Sequence, residues 1–227
     1  MHPLDDPVWQ ALTTRQVTCA RVQGLARCFD RALAPFAAVQ STGDAAFCDL
    51  MAIAGDGKPA ILIGAKPIER QQASWDCSAT LQIPQMIWTG RPAPPPIRAE
   101  LLTAADAPAM AALASLTKPG PFRVRTHELG EYFGIRRDGE LVAMAGERFK
   151  VPGFTEISAV CTHPTATGGG LASGLIGLLI DRITARGETP FLHVHPDNAN
   201  AIRLYVKLGF VERRRMHFQV LRALDPS

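Results

Sequence analysis

Three consecutive glycines, Gly168 to Gly170, stand between Pro164 and an apolar run in the stretch TATGGGLASGL. Glycine costs backbone entropy in a helix or a strand, so three together call for a reason. The first N–H groups of a helix are unsatisfied and attract anions, and glycines let a phosphate approach them without a Cβ in the way. The stretch therefore predicts either a phosphate-binding helix start or a loose turn.

Two familiar phosphate loops are excluded by the residues present. A P-loop needs GxxxxGK[ST], and no Gly-Lys-Ser or Gly-Lys-Thr occurs in the sequence. A dinucleotide fingerprint starting at Gly168 and Gly170 would need its third glycine where Ser173 stands. It would also need an acidic residue after the strand PFLHVH (190–195), and none follows in the required place.

Other residue types capable of chemistry give weaker signals. His193 and His195 fall on one face of a predicted strand, a spacing that can hold a metal, but no third ligand is in register. We therefore predict no metal, and either histidine could instead line an acceptor cleft. Cys161 could be a nucleophile, although a single cysteine on a strand is usually a small buried hydrophobe.

The elements around the glycines indicate a mixed α/β sheet with helices on its faces. The two strands on either side of Asp138-Gly139 suit a type I′ hairpin, and Gly209 suits the end of a helix. In order, the predicted elements are a strand at 99–102, a helix at 107–117, strands at 131–137, 140–150 and 155–163, an apolar helix ending near 186, a strand at 190–195, a helix at 197–208 and a hairpin at 210–222.

The amino-terminal half is predicted to hold a helix at 44–54, a buried strand at 60–64 and a strand at 78–88. Pro84 within the last of these indicates an edge strand or a bulge. The proline-rich stretch RPAPPPIR (91–98) is typical of a semi-rigid connector. We therefore divide the chain into residues 1–95 and 96–227, with all recognisable chemistry in the second part.

Composition excludes several partners. The formal net charge of the 227 residues is +3, and the one tight basic cluster, 213–215, follows Glu212, so we expect no nucleic acid partner. The longest apolar run is far shorter than the roughly 20 residues that span a bilayer, so we expect no membrane partner. Five scattered cysteines without a CxxC pair, and an amino terminus without a secretory signal, predict a cytoplasmic protein. Monomer and homodimer both remain open.

Two motifs then identify a family resemblance. TGGGLA (167–172), after a strand and a proline, resembles the acetyl-CoA loop [QR]xxGx[GA] of the GNAT superfamily of N-acetyltransferases. The superfamily's second motif, NxxAxxLYxxxGF, is filled at every named position of 198–210. Over roughly 97–222 the chain resembles bacterial members similar to the carboxy-terminal half of glycine N-acyltransferases. The resemblance implies the GNAT acyl-CoA N-acyltransferase fold, a mostly antiparallel sheet flanked by helices, with residues 1–95 as a degenerate second lobe.

The resemblance also implies roles for individual residues. Tyr205 is expected to protonate the departing CoA thiolate, and Glu156 to act as the general base, with its pKa raised in a half-buried site. The strand edge at 160–162 is expected to pair with the pantetheine arm and hold the thioester oxygen. The residues expected to bind acetyl-CoA are Val160, Cys161, Thr162, Thr167, Gly168, Gly169, Gly170, Leu171, Ala172 and Asn198.

The loop departs from the family pattern at two positions. Thr167 stands where the family has Arg or Gln, and Gly169 where it often has Lys or Arg. A charge-assisted bond contributes roughly 1.5–3 kcal/mol, so the affinity for CoA would fall by about one to two orders of magnitude unless another cation compensates. The candidates for this compensating cation are Arg186, Arg203 and Lys207.

Three functions follow from this pattern. The first is direct transfer of an acetyl group from acetyl-CoA to the amine of a small molecule or peptide. The second is a non-catalytic acyl-CoA binder or sensor, which the missing cations favour. The third is a plain interaction domain, which predicts no CoA binding.

Overall fold

The computed structural model describes residues 2–54, 57–68, 75–90, 95 and 97–224. This part of the chain contains five α-helices and eleven strands, arranged in one eight-stranded and one three-stranded sheet. The helices are α1 (Pro7–Thr13), α2 (Asp44–Ala54), α3 (Ala107–Thr117), α4 (Leu171–Ala185) and α5 (Ala199–Lys207). The strands are β1 (Ala20–Gln23), β2 (Ala26–Phe29), β3 (Ala37–Val39), β4 (Ala60–Gly64), β5 (Trp75–Trp88), β6 (Glu100–Leu102), β7 (Tyr132–Arg137), β8 (Glu140–Val151), β9 (Phe154–Thr162), β10 (Thr189–His193) and β11 (Phe210–Ala223).

The large sheet has the strand order β4-β11-β5-β10-β9-β8-β7-β6. Its neighbouring strands run antiparallel except for β9 and β10, which are parallel. β9 and β10 pair from Phe154 opposite Thr189 to Glu156 opposite Phe191, and beyond that point they separate. The predicted fold class, a mostly antiparallel sheet flanked by helices, is confirmed.

Helices cover both faces of this sheet because neighbouring residues of a strand point to opposite sides. Ala143 and Ala145 of β8 pack in the cluster that contains α4, whereas Met144 packs with α3. The predicted apolar helix after the glycines is confirmed as α4. Its buried side chains, which fix the start of the helix against the sheet, are Leu171, Leu175, Ile176, Leu179, Ile180 and Ile183.

The last predicted element, a hairpin at 210–222, is wrong. Residues 210–223 form the single strand β11, which pairs along its length with β5. β5 lies between β11 and β10, so of the two alternatives predicted for Pro84, an edge strand or a bulge, the edge strand is wrong. Pro84 pairs with Arg215 beside a bulge between Glu212 and Arg214, and proline is tolerated at such an irregularity.

The large sheet crosses the predicted division between residues 95 and 96. β4 and β5 precede it, and they pair with β11, while β5 also pairs with β10. Most of the proline-rich connector at 91–98 lies outside the described residues. The division into two domains stays a prediction, and the two parts of the chain share one sheet.

The remaining predicted elements agree with the structure to within a few residues. The turn between β7 and β8 has φ of 50° at Asp138 and 83° at Gly139, and both are positive, as a type I′ turn requires. The short strands β1 to β3 and the helix α1 were not predicted. In the described part of the chain, no helix has both the length and the apolar character needed to cross a membrane.

Candidate active site

The separation of β9 from β10 opens a cavity of about 610 Å³. Its walls come from both parts of the chain and from both sides of the gap between the two strands. The lining residues include Ile157, Ser158, Ala159 and Val160 of β9, His193, Val194 and His195 at β10, Lys118 to Pro121 after α3, Asn198, Ala201 and Tyr205 at α5, and Phe36, Ile63, Leu81, Ile83, Arg148 and Phe218.

The backbone of β9 is irregular where it borders the cavity. Ala159 has φ of 52°, a left-handed conformation that non-glycine residues rarely adopt. The register with β8 shifts between Gly146, opposite Ser158, and Met144, opposite Cys161. The residues between, Ala159 and Val160, have no register partner on β8 and lie beyond the paired part of β10. Ala159 and Val160 both line the cavity, and bulges of this kind are common beside active sites.

The predicted strand-edge residues fall in different environments. Val160 lines the cavity, whereas Cys161 is buried in the cluster with α3, and Thr162 pairs with Ala143 of β8. Burial raises the pKa of the Cys161 thiol to about 11. A thiol with this pKa is almost entirely protonated at neutral pH, which makes it a poor nucleophile.

Tyr205 lies on α5 and borders the cavity, with only 8% of its surface exposed. Its ring packs edge-on against Phe210 at 6.0 Å between centroids. Burial, with a smaller effect from nearby Cys161, raises the pKa of the Tyr205 phenol to about 12. The phenol therefore keeps its proton at neutral pH and can donate it. Asn198 caps the same helix, and its Oδ1 accepts a hydrogen bond from Ala201 N at 3.1 Å.

Glu156 is fully buried rather than half-buried. Arg148 donates to it twice, from Nε to Oε2 at 2.8 Å and from Nη2 to Oε1 at 2.7 Å, and His193 Nδ1 lies 2.7 Å from Oε1. Burial by itself would raise the pKa of Glu156, but Arg148 and His193 together lower it to about 2. The expectation of a raised pKa is therefore wrong, because a buried cation accompanies the carboxylate.

The network continues from His193 to the amino-terminal part of the chain. Arg213 Nε donates to Gln85 Oε1 at 2.7 Å, and this bond fixes the orientation of the Gln85 amide. Gln85 Nε2 then lies 2.9 Å from Leu4 O and 3.0 Å from His193 Nε2. His193 Nε2 must then accept, so the ring proton sits on Nδ1 and is donated to Glu156. Sequence reasoning missed Arg148 and Gln85, since neither belongs to a motif.

The glycines form the turn into α4. Gly168 and Gly170 have φ of 83° and 73°, and Gly170 caps the helix without a side-chain hydrogen bond. A Cβ on either glycine would meet no heavy atom within 4 Å, so the space beside the backbone is open. The first helical bond runs from Gly174 N to Gly170 O, and the amides of residues 171–173 precede it. This geometry fits a pyrophosphate held by backbone amides at a helix start.

A cation stands beside this loop, although the sequence does not indicate it. Arg137 Nη2 lies 3.7 Å from the position that a Cβ on Gly169 would take. Arg186, one of the predicted substitutes, is at the other end of α4, where it pairs with Glu131 and Glu147. Arg203 contacts Asn200 on its own helix. Thr167 Oγ1 donates to Pro164 O at 3.1 Å and so stabilises the turn.

The two histidines do not share a site. The His193 side chain is 3% exposed and bonded within the buried network, whereas the His195 side chain is 54% exposed beside Asp197. Among the described residues, no group of three or more His, Cys, Asp or Glu side chains could hold a metal ion.

Comparisons with known proteins agree with this geometry. A family model described as FR47-like protein matches residues 132–219. The chain is 33% identical over 138 residues to the N-alpha-acetyltransferase RimI of Mycobacterium tuberculosis. This match covers 55% of this chain and 86% of RimI. A GNAT-family protein of known structure from Novosphingobium aromaticivorans has the same fold, with a TM-score of 0.90 and 37% identity, and the match covers 99% of this chain and 100% of that one.

A shorter region of the chain is similar to part of a larger protein. This chain is 33% identical over 81 residues to mycothiol acetyltransferase of Streptomyces avermitilis. The match covers 35% of this chain and 26% of that protein. The family model, the RimI match and the shared fold together place the chain in the acetyltransferase class. The chain belongs to the GNAT acetyltransferase family, and the resemblance seen in its sequence is confirmed.

Proposed function

We propose that this protein transfers an acetyl group directly from acetyl-CoA to the amine of a small molecule or peptide. The observation that carries the proposal is the placement of Tyr205 and the open edge of β9 in one cavity. The glycine turn at the start of α4 supports the phosphates, through the amides of residues 171–173 and the guanidinium of Arg137. Leu171 and Ala172 then contribute backbone rather than side-chain groups.

Acetyl-CoA, when bound, supplies an acetyl group activated as a thioester. The backbone N–H groups in the β9 bulge, at Ala159 and Val160, are suited to donate to the oxygen of that group because no strand partner uses them in the register. Donors fixed in a buried strand need no reorganisation during the reaction. Oxyanion-type stabilisation is strong because its donors are already in place. Cys161 and Thr162 keep the bulge attached to β8.

Tyr205 is the proposed proton donor to the departing thiolate. With a pKa of about 12 the phenol is fully protonated at pH 7, and its position on α5 faces the same cavity as the β9 bulge. A donor held within the site can contribute roughly 10²–10⁴-fold to the rate.

The role of Glu156 as general base stays a prediction. Glu156 is fully buried and is not among the residues that line the cavity, so direct proton transfer from the amine would require the carboxylate to move out of its bonds with Arg148 and His193. We therefore propose that Glu156 is a positioning residue that holds the Nδ1 proton of His193. The amine gives its proton to water at the cavity mouth, and water returns a proton to Tyr205 after the phenol has protonated the thiolate. The reaction needs no metal in this scheme.

A non-catalytic acyl-CoA binder is the second candidate, favoured by the absence of a cation at Thr167 and Gly169. A binder has no need of a phenol beside the open strand edge, so Tyr205 distinguishes the two. We place the protein in the cytoplasm, where its cysteines would stay reduced.

The test is acetyl-CoA binding by calorimetry, followed by release of free thiol from acetyl-CoA in the presence of an amine panel. The proposal predicts binding and amine-dependent thiol release with a matching acetylated amine detected by mass spectrometry. Binding with no thiol release for any amine would favour the sensor, and no binding at all would contradict both candidates.

A further inference from the structure

One wall of the cavity is built almost entirely from apolar side chains. Ile63 of β4 pairs with Phe218 of β11, and Phe218 pairs with Leu81 of β5, so the three side chains form a row across three strands. Ile83 follows two residues after Leu81 and therefore lies on the same face. Phe36, which is buried, completes this apolar wall beside them.

The wall is open to a ligand at one point in particular. Leu81 is 37% exposed, whereas Ile63, Ile83 and Phe36 are each less than a tenth exposed. Isolated exposed hydrophobic residues are ordinary, but an exposed leucine on an apolar cavity wall has unburied surface that a ligand can cover.

The charges around the wall argue against a second positive charge on the acceptor. Arg148 borders the cavity as a cation, and its ring-stacked guanidinium lies 4.8 Å from the centroid of Phe36. The partner carboxylate, Glu156, is fully occupied by Arg148 and His193 and is not among the lining residues. Among the described residues that line the cavity, Asp197 is the one with a carboxylate, and its side chain is 91% exposed.

We propose that the acceptor is a small primary amine that carries an aryl or branched alkyl group and no second cationic group. Its apolar group would cover Leu81 and pack on the row of Phe218 and Ile63, while its amine reaches the region of Tyr205 in the same cavity. The inference rests on the proposed acetyl transfer and specifies its substrate class. It also gives the part of the chain before residue 95 a function, since this part supplies most of the wall.

The experiment compares 2-phenylethylamine and isopentylamine with putrescine, spermidine and a short peptide, using the full chain, saturating acetyl-CoA and thiol release as the readout. We expect kcat/KM for the two apolar amines to exceed that for the polyamines by about tenfold or more, the discrimination that an apolar pocket commonly gives. Preference for a polyamine or for the peptide would overturn the proposal.

Leu81→Asp tests the wall itself, because a partly exposed position tolerates a polar side chain better than a buried one. It should lower kcat/KM for 2-phenylethylamine about tenfold and leave the Kd of acetyl-CoA unchanged. Leu101→Asp is the matched control, since Leu101 is 55% exposed on β6, away from the cavity lining. Equal kcat/KM in the two variants, with equal Tm, would overturn the proposal.

Different results would overturn the transferase function and the apolar acceptor. Acetyl-CoA turnover with polyamines alone would leave the transferase function standing and remove the apolar acceptor. Absence of acetyl-CoA binding, or of thiol release with every amine, would overturn the transferase function and the acceptor class together.

Discussion

At the scale of single residues, the buried pair of Arg148 and Glu156 makes the clearest prediction. Glu156→Gln removes the negative charge but leaves the guanidinium of Arg148 buried, and such a loss typically costs about 3–5 kcal/mol of unfolding free energy. Denaturant unfolding at pH 7 measures this cost. Glu212→Gln is the control, because Glu212 pairs with Arg215 on the exposed surface and should change stability little.

The same pair gives stability a defined pH dependence. The pKa of Glu156 is lowered to about 2 in the folded protein, against roughly 4.3 in an unfolded chain. Its contribution is therefore complete above the unfolded value and is lost as the pH falls from about 4.5 towards 2. The difference in unfolding free energy between the wild type and Glu156→Gln should shrink across this range. A difference that stays constant down to pH 2 would contradict the charge pairing.

Residue roles were predictable only where a motif fixed them. Tyr205 and the three glycines stand at regular spacings within short stretches, so the sequence alone indicated their chemistry. The buried network joins residues far apart in the chain, because Gln85 is separated by 108 positions from His193 and by 128 from Arg213. Spacing within one sequence carries no information on such contacts, so this network and the low pKa of Glu156 appear only in the structure.

At the scale of elements, α4 offers a matched pair of glycines for testing the phosphate loop. Gly170 begins the helix and Gly187 follows its end; both have φ of 73°, and neither Cβ would meet a heavy atom within 4 Å. Each change to alanine should therefore cost a similar backbone strain, about 1 kcal/mol. Gly170→Ala should also weaken acetyl-CoA binding, whereas Gly187→Ala should not. Equal acetyl-CoA affinities in calorimetry would place the phosphates elsewhere.

The elements themselves were largely predictable, and the main error has a physical cause. Alternating and helical patterns located β7 to β10 and α2 to α5, because each pattern depends on which side of an element is buried. The stretch 210–222 was expected to fold back on itself, since nothing local shows that a strand from the first part of the chain will pair with it. Its true partner is β5, and the exposed Val211 and buried Met216 are compatible with either arrangement.

At the scale of the whole molecule, the sheet makes the two parts of the chain interdependent. β5 separates β10 from β11, so a fragment of residues 96–227 would leave the facing edges of both strands without their partner. Unpaired strand edges are prone to aggregation. We expect this fragment to lack a cooperative thermal transition, as measured by circular dichroism or calorimetry. A folded fragment that binds acetyl-CoA would instead support the predicted division at residues 95 and 96.

Tyr205→Phe separates the binding of acetyl-CoA from the transfer of its acetyl group. This variant keeps the ring that packs on Phe210 and removes only the hydroxyl. With an amine that the wild type acetylates, kcat should fall by about 10²–10⁴-fold, while the Kd of acetyl-CoA changes by less than about twofold. Wild-type kcat in Tyr205→Phe would show that the buried phenol has no part in acetyl transfer and would remove Tyr205 as the proton donor.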